Sequence, residues 1–305
     1  MNGSIPSLLV LALGILLHPL ADVSAARNLA QRPQKSKRTV AVSTVRPQSR
    51  YVAANGIRIH YLEWGKGQAT VILLHGLFDS AEVWSSVAPL LSHGYRVIAP
   101  DRRGAGLTDK PATGYDYQTL ALDVEALIVS LNAGRVHLVG HSAGAGVALT
   151  VAASAPEKIR TLVLVDGGFW PKRPVAAAAL PAPPCDGTPA ECGRKAALES
   201  GERTYDPEFL YPRVDTQVLL VLGVPAMPPP KEFAAGLAEV QQHVATVAKR
   251  KLRKGQMVLV KETGHWIQTD QPKALAMAIQ NFWKRHAFRT RLHHGDAENR
   301  DDTRD

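Results

Sequence analysis

The stretch "RVHLVGHSAGAGVALTVAAS" (residues 135–154) decides the fold of this chain. Its first part, "VHLVG", is short and largely apolar, which is typical of a strand buried on both faces of a parallel sheet. Its second part is rich in small residues and long enough for a packed helix. The turn between them is so tight that Ser142 must adopt a strained backbone, and Gly140, Gly144 and Gly146 relieve the crowding. The stretch therefore predicts a strand–turn–helix unit that holds one hydroxyl at a helix N-terminus.

Outward from this unit, short apolar runs alternate with segments of helical spacing. Residues 51–65 form two runs joined by Asn55-Gly56, a dipeptide typical of tight hairpins. Runs typical of buried strands are "ATVILLHG", "YRVIAPD", "RVHLVGHS", "IRTLVLVDG", "TQVLLVLG" and, more weakly, "QMVLVKE". Apolar residues recur at helical spacing over 81–91, 117–133, 143–155, 231–252 and 271–286. We therefore expect an α/β fold: a doubly wound, mostly parallel sheet of about eight strands.

The loops that follow the strands are the place to look for a site, because such sheets bind ligands beyond the carboxyl ends of their strands. These loops include "HGLFDS" (75–80), "DRRGAG" (101–106), "GHSAG" (140–144), "DGG" (166–168) and "ETGHW" (262–266). Gly-x-Ser-x-Gly between a strand and a helix is the pattern of a nucleophile elbow. A serine hydroxyl attacks when a neighbouring base removes its proton, and imidazole suits that work. Ser142 is the candidate nucleophile and His265 the candidate base.

From about Tyr51 to Arg285, these motifs resemble the α/β-hydrolase fold family, in the group of bacterial carboxylesterases, haloperoxidase-like esterases and lactonases. "VILLHGLFDSAEVW" resembles its oxyanion loop, and "GHWIQTDQPKALAMAIQNFW" its histidine loop and last helix. The resemblance implies that the backbone N–H groups of Leu77 and Ala143 form the oxyanion hole and that no cofactor or metal is used. It also implies that His75 orders the oxyanion loop and that His141 fills space at the elbow. Asp101 and Arg102 are expected to organise loops.

Several carboxylates are candidates for the acid that orients the histidine. The family commonly carries it after its seventh strand, but here "VLGVPAMPPPKE" has no carboxylate before Glu232, which begins a helix. Asp166, after the sixth strand, is the predicted replacement, because neighbouring strands lie about 4.8 Å apart. An Asp there that only holds its loop is the competing interpretation. Asp186, Glu191 and Glu262 are further candidates, and a serine–histidine pair without an acid is the last.

The ends of the chain are expected to lie outside the domain at 51–286. Residues 1–25 contain an apolar run of 11 followed by small residues, which predicts a secretory signal peptide cleaved after Ala25. Residues 26–50 carry seven Arg or Lys and no acid, which predicts a solvated basic linker with weak contact to anionic surfaces. Residues 287–305 are polar and predicted to be disordered. The net charge of +9 does not indicate nucleic-acid binding, since no recognised module accompanies it.

The segment at about 170–215 is expected to be a short lid inserted after the sixth strand. It is rich in Pro and Ala and contains both cysteines of the chain, Cys185 and Cys192. In an exported protein such a pair is predicted to form a local disulfide, with two free thiols as the alternative.

Together these observations predict a secreted or periplasmic serine hydrolase, monomeric or homodimeric. It would cleave a carboxylic ester, thioester or lactone through an acyl-enzyme. Epoxide hydrolases and haloalkane dehalogenases of the fold need a carboxylate nucleophile, which Ser142 is not. The alternative is a binding protein on a degenerate hydrolase fold, which the missing acid of the seventh strand keeps open.

Overall fold

The computed structural model describes residues 45–169, 187–226 and 231–298, which form one eight-stranded sheet with helices on both faces. The strands are β1 Gln48–Ala54, β2 Ile57–Trp64, β3 Ala69–Leu74, β4 Tyr95–Pro100, β5 Val136–His141, β6 Ile159–Val165, β7 Gln217–Val224 and β8 Gly255–Lys261. The helices are α1 Ala88–Leu91, α2 Tyr117–Ser130, α3 Ala143–Ser154, α4 Pro189–Thr204, α5 Lys231–Thr246, α6 Ile267–Asp270 and α7 Pro272–Glu298. Short turns of 3-10 helix lie at Ala81–Trp84, Pro156–Lys158, Pro207–Phe209 and Tyr211–Arg213, and a π-turn spans Val247–Lys251.

The strand order is β1-β2-β4-β3-β5-β6-β7-β8. The pairs β1–β2 and β2–β4 are antiparallel, and every other pair is parallel. The predicted doubly wound, mostly parallel sheet of eight strands is therefore confirmed. Because β3 to β8 run in one direction, their carboxyl ends meet along one edge of the sheet.

The sheet core follows from uninterrupted apolar strands. Along β3, Val71 and Leu73 face one layer of helices while Ile72 and Leu74 face the other, and all four are 0% exposed. Full burial of each such side chain stabilises the fold by roughly 1.5–3 kcal/mol relative to exposure. Burial on both faces leaves the strands no freedom to shift register, so the loops at their carboxyl ends start from fixed positions.

The first hairpin forms at the predicted dipeptide. Asn55 and Gly56 both have positive φ, 47° and 74°, which suits the tight two-residue turn between antiparallel strands. The strand begins at Gln48 rather than at Tyr51, so three residues of the expected linker pair with β2.

The segment between β6 and β7 contains α4, which starts with a capping box. The Thr188 hydroxyl accepts the Glu191 N–H, and the Glu191 carboxylate accepts the Thr188 N–H. Residues 170–186 lie outside the described residues, so the lid remains a prediction. Cys185 lies among them, and the predicted pairing with Cys192 is likewise a prediction.

The C-terminal helix differs from the expected disordered tail, because α7 continues to Glu298. Extending a helix costs far less than starting one, so a polar continuation of a docked helix can stay helical without a core of its own. The predicted signal peptide and most of the basic linker fall within residues 1–44, outside the described residues. No helix in the described part of the chain is long and apolar enough to span a bilayer.

Candidate active site

The elbow between β5 and α3 holds Ser142 in strained backbone, with φ 54° and ψ −123°. The turn requires glycines around it. A Cβ on Gly140 would lie 2.3 Å from the Gly144 carbonyl oxygen, and one on Gly167 would lie 2.5 Å from the Ser142 Cα. A non-glycine residue in such backbone costs about 1–3 kcal/mol, which the surrounding packing must offset. The result is a hydroxyl at the N-terminus of a twelve-residue buried helix.

Ser142, His265 and Asp166 lie in one hydrogen-bonded series, which we call the elbow triad. The Nε2 atom of His265 lies 3.0 Å from Ser142 Oγ, and its Nδ1 lies 2.6 Å from Asp166 Oδ2. A carboxylate accepts hydrogen bonds, so Nδ1 carries the proton and Nε2 presents a lone pair to the hydroxyl. The His265 side chain is 17% exposed and that of Asp166 is 7% exposed, so the histidine faces the cleft and the acid lies behind it.

The backbone of β7 orients Asp166. The Asp166 N–H donates to the Val221 carbonyl at 2.8 Å, and the Gly223 N–H donates to Asp166 Oδ1 at 3.4 Å. A Cβ on Gly223 would lie 2.2 Å from the Gly264 carbonyl oxygen, because the histidine loop passes directly against this strand end. β7 therefore serves the site through its main chain, and the carboxylate comes from β6.

The other candidate acids lie elsewhere. Glu191 is occupied in the cap of α4, and Glu262 is exposed with φ 60°. Asp186 lies outside the described residues. Of the described candidates, Asp166 is the one within hydrogen-bonding distance of His265.

The loop after β3 lies beside the elbow. A Cβ on Gly76 would lie 3.3 Å from the Ser142 Cβ, so Gly76 lies against the serine. Within the described residues, neither the Leu77 nor the Ala143 amide donates to a backbone carbonyl. Ala143 is the first residue of α3, and N–H groups in a first helical turn have no intrahelical partner. Of the two predicted oxyanion donors, Ala143 directly follows Ser142, and Leu77 follows the glycine that lies against it.

Two fully buried histidines flank the site. Burial, assisted by the charge of Arg102, lowers the pKa of His75 to about 3, and burial with the neighbouring His265 lowers the pKa of His141 to about 3. Both rings are therefore neutral near pH 7. The Nδ1–H of His75 donates to the Gly76 carbonyl at 2.8 Å, and its Nε2 accepts the Arg102 N–H at 2.9 Å.

His141 does more than fill space, which the sequence did not reveal. Its Nε2–H donates to the His265 carbonyl at 2.9 Å, and its Nδ1 accepts from the Gln268 side-chain amide at 3.1 Å. The rings of His141 and His265 lie 4.7 Å apart. The elbow therefore fixes the backbone that carries the histidine. Both contacts join residues more than 120 positions apart, so no local sequence pattern predicts them.

A second serine–histidine–aspartate series was also missed, and we call it the edge triad: Ser49, His60 and Asp101. Ser49 Oγ lies 2.9 Å from His60 Nε2, and His60 Nδ1 lies 2.8 Å from Asp101 Oδ2. Burial by itself raises the pKa of Asp101, but hydrogen bonds from the Ala81 and Leu107 amides and from His60 outweigh it and hold the pKa below its ordinary value. This carboxylate is therefore a fixed anion that ties three segments together.

No group of three or more His, Cys, Asp or Glu side chains within the described ranges is arranged to share a metal ion.

A model of the α/β hydrolase fold family matches residues 69–217, from the start of β3 to the start of β7. The sequence is thus similar to the α/β-hydrolase fold family over just under half of its length, and the chain has that fold. The matched region contains the elbow and Asp166, while His265 lies beyond it.

Relatives within the α/β-hydrolase fold family include proteins of several named activities. A soluble epoxide hydrolase of Corynebacterium sp. (strain C12) is 39% identical over 37% of this chain and 39% of its own length. A non-heme chloroperoxidase of Streptomyces lividans is 46% identical over 37% of this chain and 42% of its own length. A 2-(acetamidomethylene)succinate hydrolase of Mesorhizobium japonicum is 38% identical over 39% of this chain and 42% of its own length. The chain thus matches about two-fifths of the length of these relatives.

Solved structures extend the likeness over most of the domain. A serine hydrolase involved in carbazole degradation, the CarC enzyme, is 26% identical with a TM-score of 0.62, and the match covers 78% of this chain and 99% of that one. A bacterial membrane phospholipase A, at 22% identity and a TM-score of 0.61, shares the fold over 91% of this chain and 95% of its own.

Proposed function

We propose that this protein is a serine hydrolase that cleaves a carboxylic ester, thioester or lactone through an acyl-enzyme. The observation that carries the proposal is the elbow triad, with 3.0 Å between His265 Nε2 and Ser142 Oγ and 2.6 Å between His265 Nδ1 and Asp166. The same three residue types, with the acid and the serine on opposite imidazole nitrogens, perform acyl transfer on unrelated folds.

The proposed reaction has two halves. His265 Nε2 takes the Ser142 proton as Oγ attacks the acyl carbon, and the Leu77 and Ala143 N–H groups bind the oxyanion that forms. The intermediate expels the alcohol or thiol, which takes the proton from Nε2–H, and leaves the acyl group on Ser142. Water then attacks the acyl-enzyme, with His265 again as the base, and the acid is released. Asp166 stabilises the imidazolium that forms in both halves.

The surroundings of the triad favour an apolar acyl or alcohol group. Phe78, 56% exposed, follows the oxyanion residue Leu77, and Trp266, 45% exposed, follows His265. Exposed aromatic side chains beside a cleft bind apolar ligand groups. The serine on the elbow argues against the epoxide chemistry named for one relative.

A fluorophosphonate probe tests the proposal, since it phosphonylates an activated serine. We expect stoichiometric labelling at Ser142 and, with a panel of p-nitrophenyl esters from acetyl to palmitoyl, turnover of at least one chain length. Folded, pure protein that stays unlabelled and inactive near neutral pH would favour the binding protein on a degenerate hydrolase fold.

We also propose that the protein is exported, on the basis of the predicted signal peptide alone. Mass spectrometry of protein recovered outside the cytoplasm should give a chain that starts at Ala26, with Cys185 and Cys192 oxidised to each other. A retained N-terminus would count against export, and free thiols would count against the disulfide.

A further inference from the structure

The Gly76 carbonyl oxygen is held by two donors. One is the Nδ1–H of His75 at 2.8 Å, and the other is the Arg102 guanidinium, whose Nη2 lies 2.6 Å away. Arg102 also fixes the first donor, because its backbone N–H donates to His75 Nε2 and leaves the proton on Nδ1. Both side chains are buried, so water does not compete for this oxygen.

Fixing this carbonyl also fixes the amide that follows it. The peptide bond is planar and trans, so the Gly76 C=O and the Leu77 N–H point in opposite directions. Gly76 itself lies against Ser142, since a Cβ on Gly76 would lie only 3.3 Å from the serine Cβ. The two donors that hold the oxygen therefore also fix the direction of the Leu77 N–H, which points away from His75 Nδ1 and the Arg102 guanidinium.

The loop at residues 76–81 needs hydrogen bonds from outside it, because its own backbone conformation is strained. Phe78 has φ 58°, which is unfavourable for a bulky residue, and its side chain is 56% exposed and so packs little. The far end of the loop is held too, since Asp101 Oδ1 accepts the Ala81 N–H at 2.7 Å. Asp101 and Arg102, which directly follow β4, thus hold the two ends of residues 76–81 by hydrogen bonds.

We propose that Arg102 is a positioning residue for the oxyanion hole: its guanidinium, through the Gly76 carbonyl, aims the Leu77 N–H at the developing oxyanion. The proposal rests on the proposed serine-hydrolase function. Arg102 itself touches no reacting atom, and its effect comes before the reaction, because a donor already in place needs no reorganisation when charge develops.

The test uses a trifluoromethyl ketone, which Ser142 attacks to form a bound oxyanion without a leaving group. The Oγ–carbon bond forms, the carbonyl π bond breaks, the serine proton passes to His265, and the negative charge stays on the former carbonyl oxygen. Arg102→Met should lower kcat and weaken ketone binding by a similar factor of about 10–100, less than the 10²–10³ expected for losing a whole oxyanion donor. KM should stay within about twofold, because the ground-state ester makes little use of the oxyanion donor.

Arg103→Met is the matched control. Arg103 is the next residue, is equally buried and pairs with Asp123 at 2.7 Å, away from the oxyanion loop. Its loss should lower the melting temperature while folded enzyme keeps its kcat and ketone affinity. If Arg102→Met does not fold, Arg102→Lys carries the test: it keeps the charge but loses the planar fork, and we expect the same paired decrease, at least about threefold.

Two results would overturn the proposal. The first is wild-type kcat and ketone affinity in Arg102→Met or, where that variant does not fold, in Arg102→Lys. The second is an equal loss in Arg103→Met, which would make the effect one of general destabilisation. A wild-type protein that neither reacts with fluorophosphonate nor binds the ketone would overturn the serine-hydrolase proposal and this one together, so the two failures are distinguishable.

Discussion

The elbow triad and the edge triad have the same connectivity and nearly the same distances. The serine–histidine separations are 3.0 and 2.9 Å, and the histidine–aspartate separations are 2.6 and 2.8 Å. Their serines differ. Ser142 stands in strained backbone at the N-terminus of α3, beside the Gly76 loop, whereas Ser49 lies within edge strand β1, paired with Leu62. We therefore expect that N–H groups beside the serine, and not three hydrogen-bonded side chains alone, distinguish the proposed acyl-transfer site from the edge triad.

Replacing each serine gives the largest expected contrast. Ser142→Ala should lower kcat by about 10⁴–10⁶-fold and abolish fluorophosphonate labelling, because the nucleophile is lost. Ser49→Ala should keep kcat within about twofold, because Ser49 lies within a β-strand and not at the N-terminus of a helix. Tandem mass spectrometry of the labelled protein locates the adduct. An adduct on Ser49 in the Ser142→Ala variant would break the comparison.

Replacing each aspartate should separate catalysis from stability. Asp166→Asn keeps the shape of the site but favours the wrong tautomer of His265, so kcat should fall by about 10³–10⁴-fold with little change in melting temperature. Asp101→Asn removes a buried anion that accepts from two amides and His60, so the melting temperature should fall by about 5–10 °C while kcat falls less than about tenfold. Turnover and thermal unfolding are measured on both. If Asp166→Asn kept a tenth of wild-type turnover, Asp166 would be a loop-holding residue.

The succession of strands and helices along the chain could be predicted from the sequence, and the contacts between distant loops could not. Apolar runs predict the parallel strands, because burial on both faces requires apolar residues along each strand. The Gly-x-Ser-x-Gly turn predicts one strand–turn–helix unit, because the tight turn requires small residues at nearby positions. The last helix was predicted too short, because polar composition indicates the lack of a core rather than the lack of a helix.

Some residues of the candidate site could likewise be predicted from the sequence, and others could not. The positions of Ser142 and His265 after their strands could be predicted, and their catalytic roles remain predictions. Asp166 could only be ranked among other carboxylates, since its approach to His265 depends on the register of β6 against β7. The edge triad could not be predicted for the same reason, because β1, β2 and β4 become neighbours only in the folded sheet.

Acid should destabilise the fold through three buried neutral histidines, two beside the elbow triad and one remote from it, and this is the smallest effect that we expect. The folded-state pKa of His75, His141 and His137 is lowered to about 3, chiefly by burial, from 6.5. The unfolded chain therefore binds protons first, so the contribution of these histidines to stability is constant above pH 6.5 and is lost as the pH falls toward 3. At pH 5 the loss is up to about 2 kcal/mol for each histidine. Urea midpoints at pH 7 and pH 5 measure it.

His137→Gln serves as the matched variant for the acid measurement. His137 accepts from the Thr161 hydroxyl at 2.8 Å, remote from the triads, so its replacement should reduce the pH dependence without altering kcat. A pH dependence equal to that of the wild type would contradict the assignment of a buried neutral ring at this position.

Because β7 supplies main-chain groups and no reacting side chain, the segment that follows it is a suitable position for an engineered insertion. The Val221 carbonyl and the Gly223 amide hold the acid, and the Val224 carbonyl accepts the Thr263 N–H of the histidine loop at 3.1 Å. From Pro225 onward, the sequence before α5 supplies none of the three side chains of the elbow triad. A ligand-binding module spliced in after Pro225 would therefore sit one strand from the imidazole without replacing a reacting group. With the proposed ester hydrolysis, the rate of turnover of a chromogenic ester would then report that ligand.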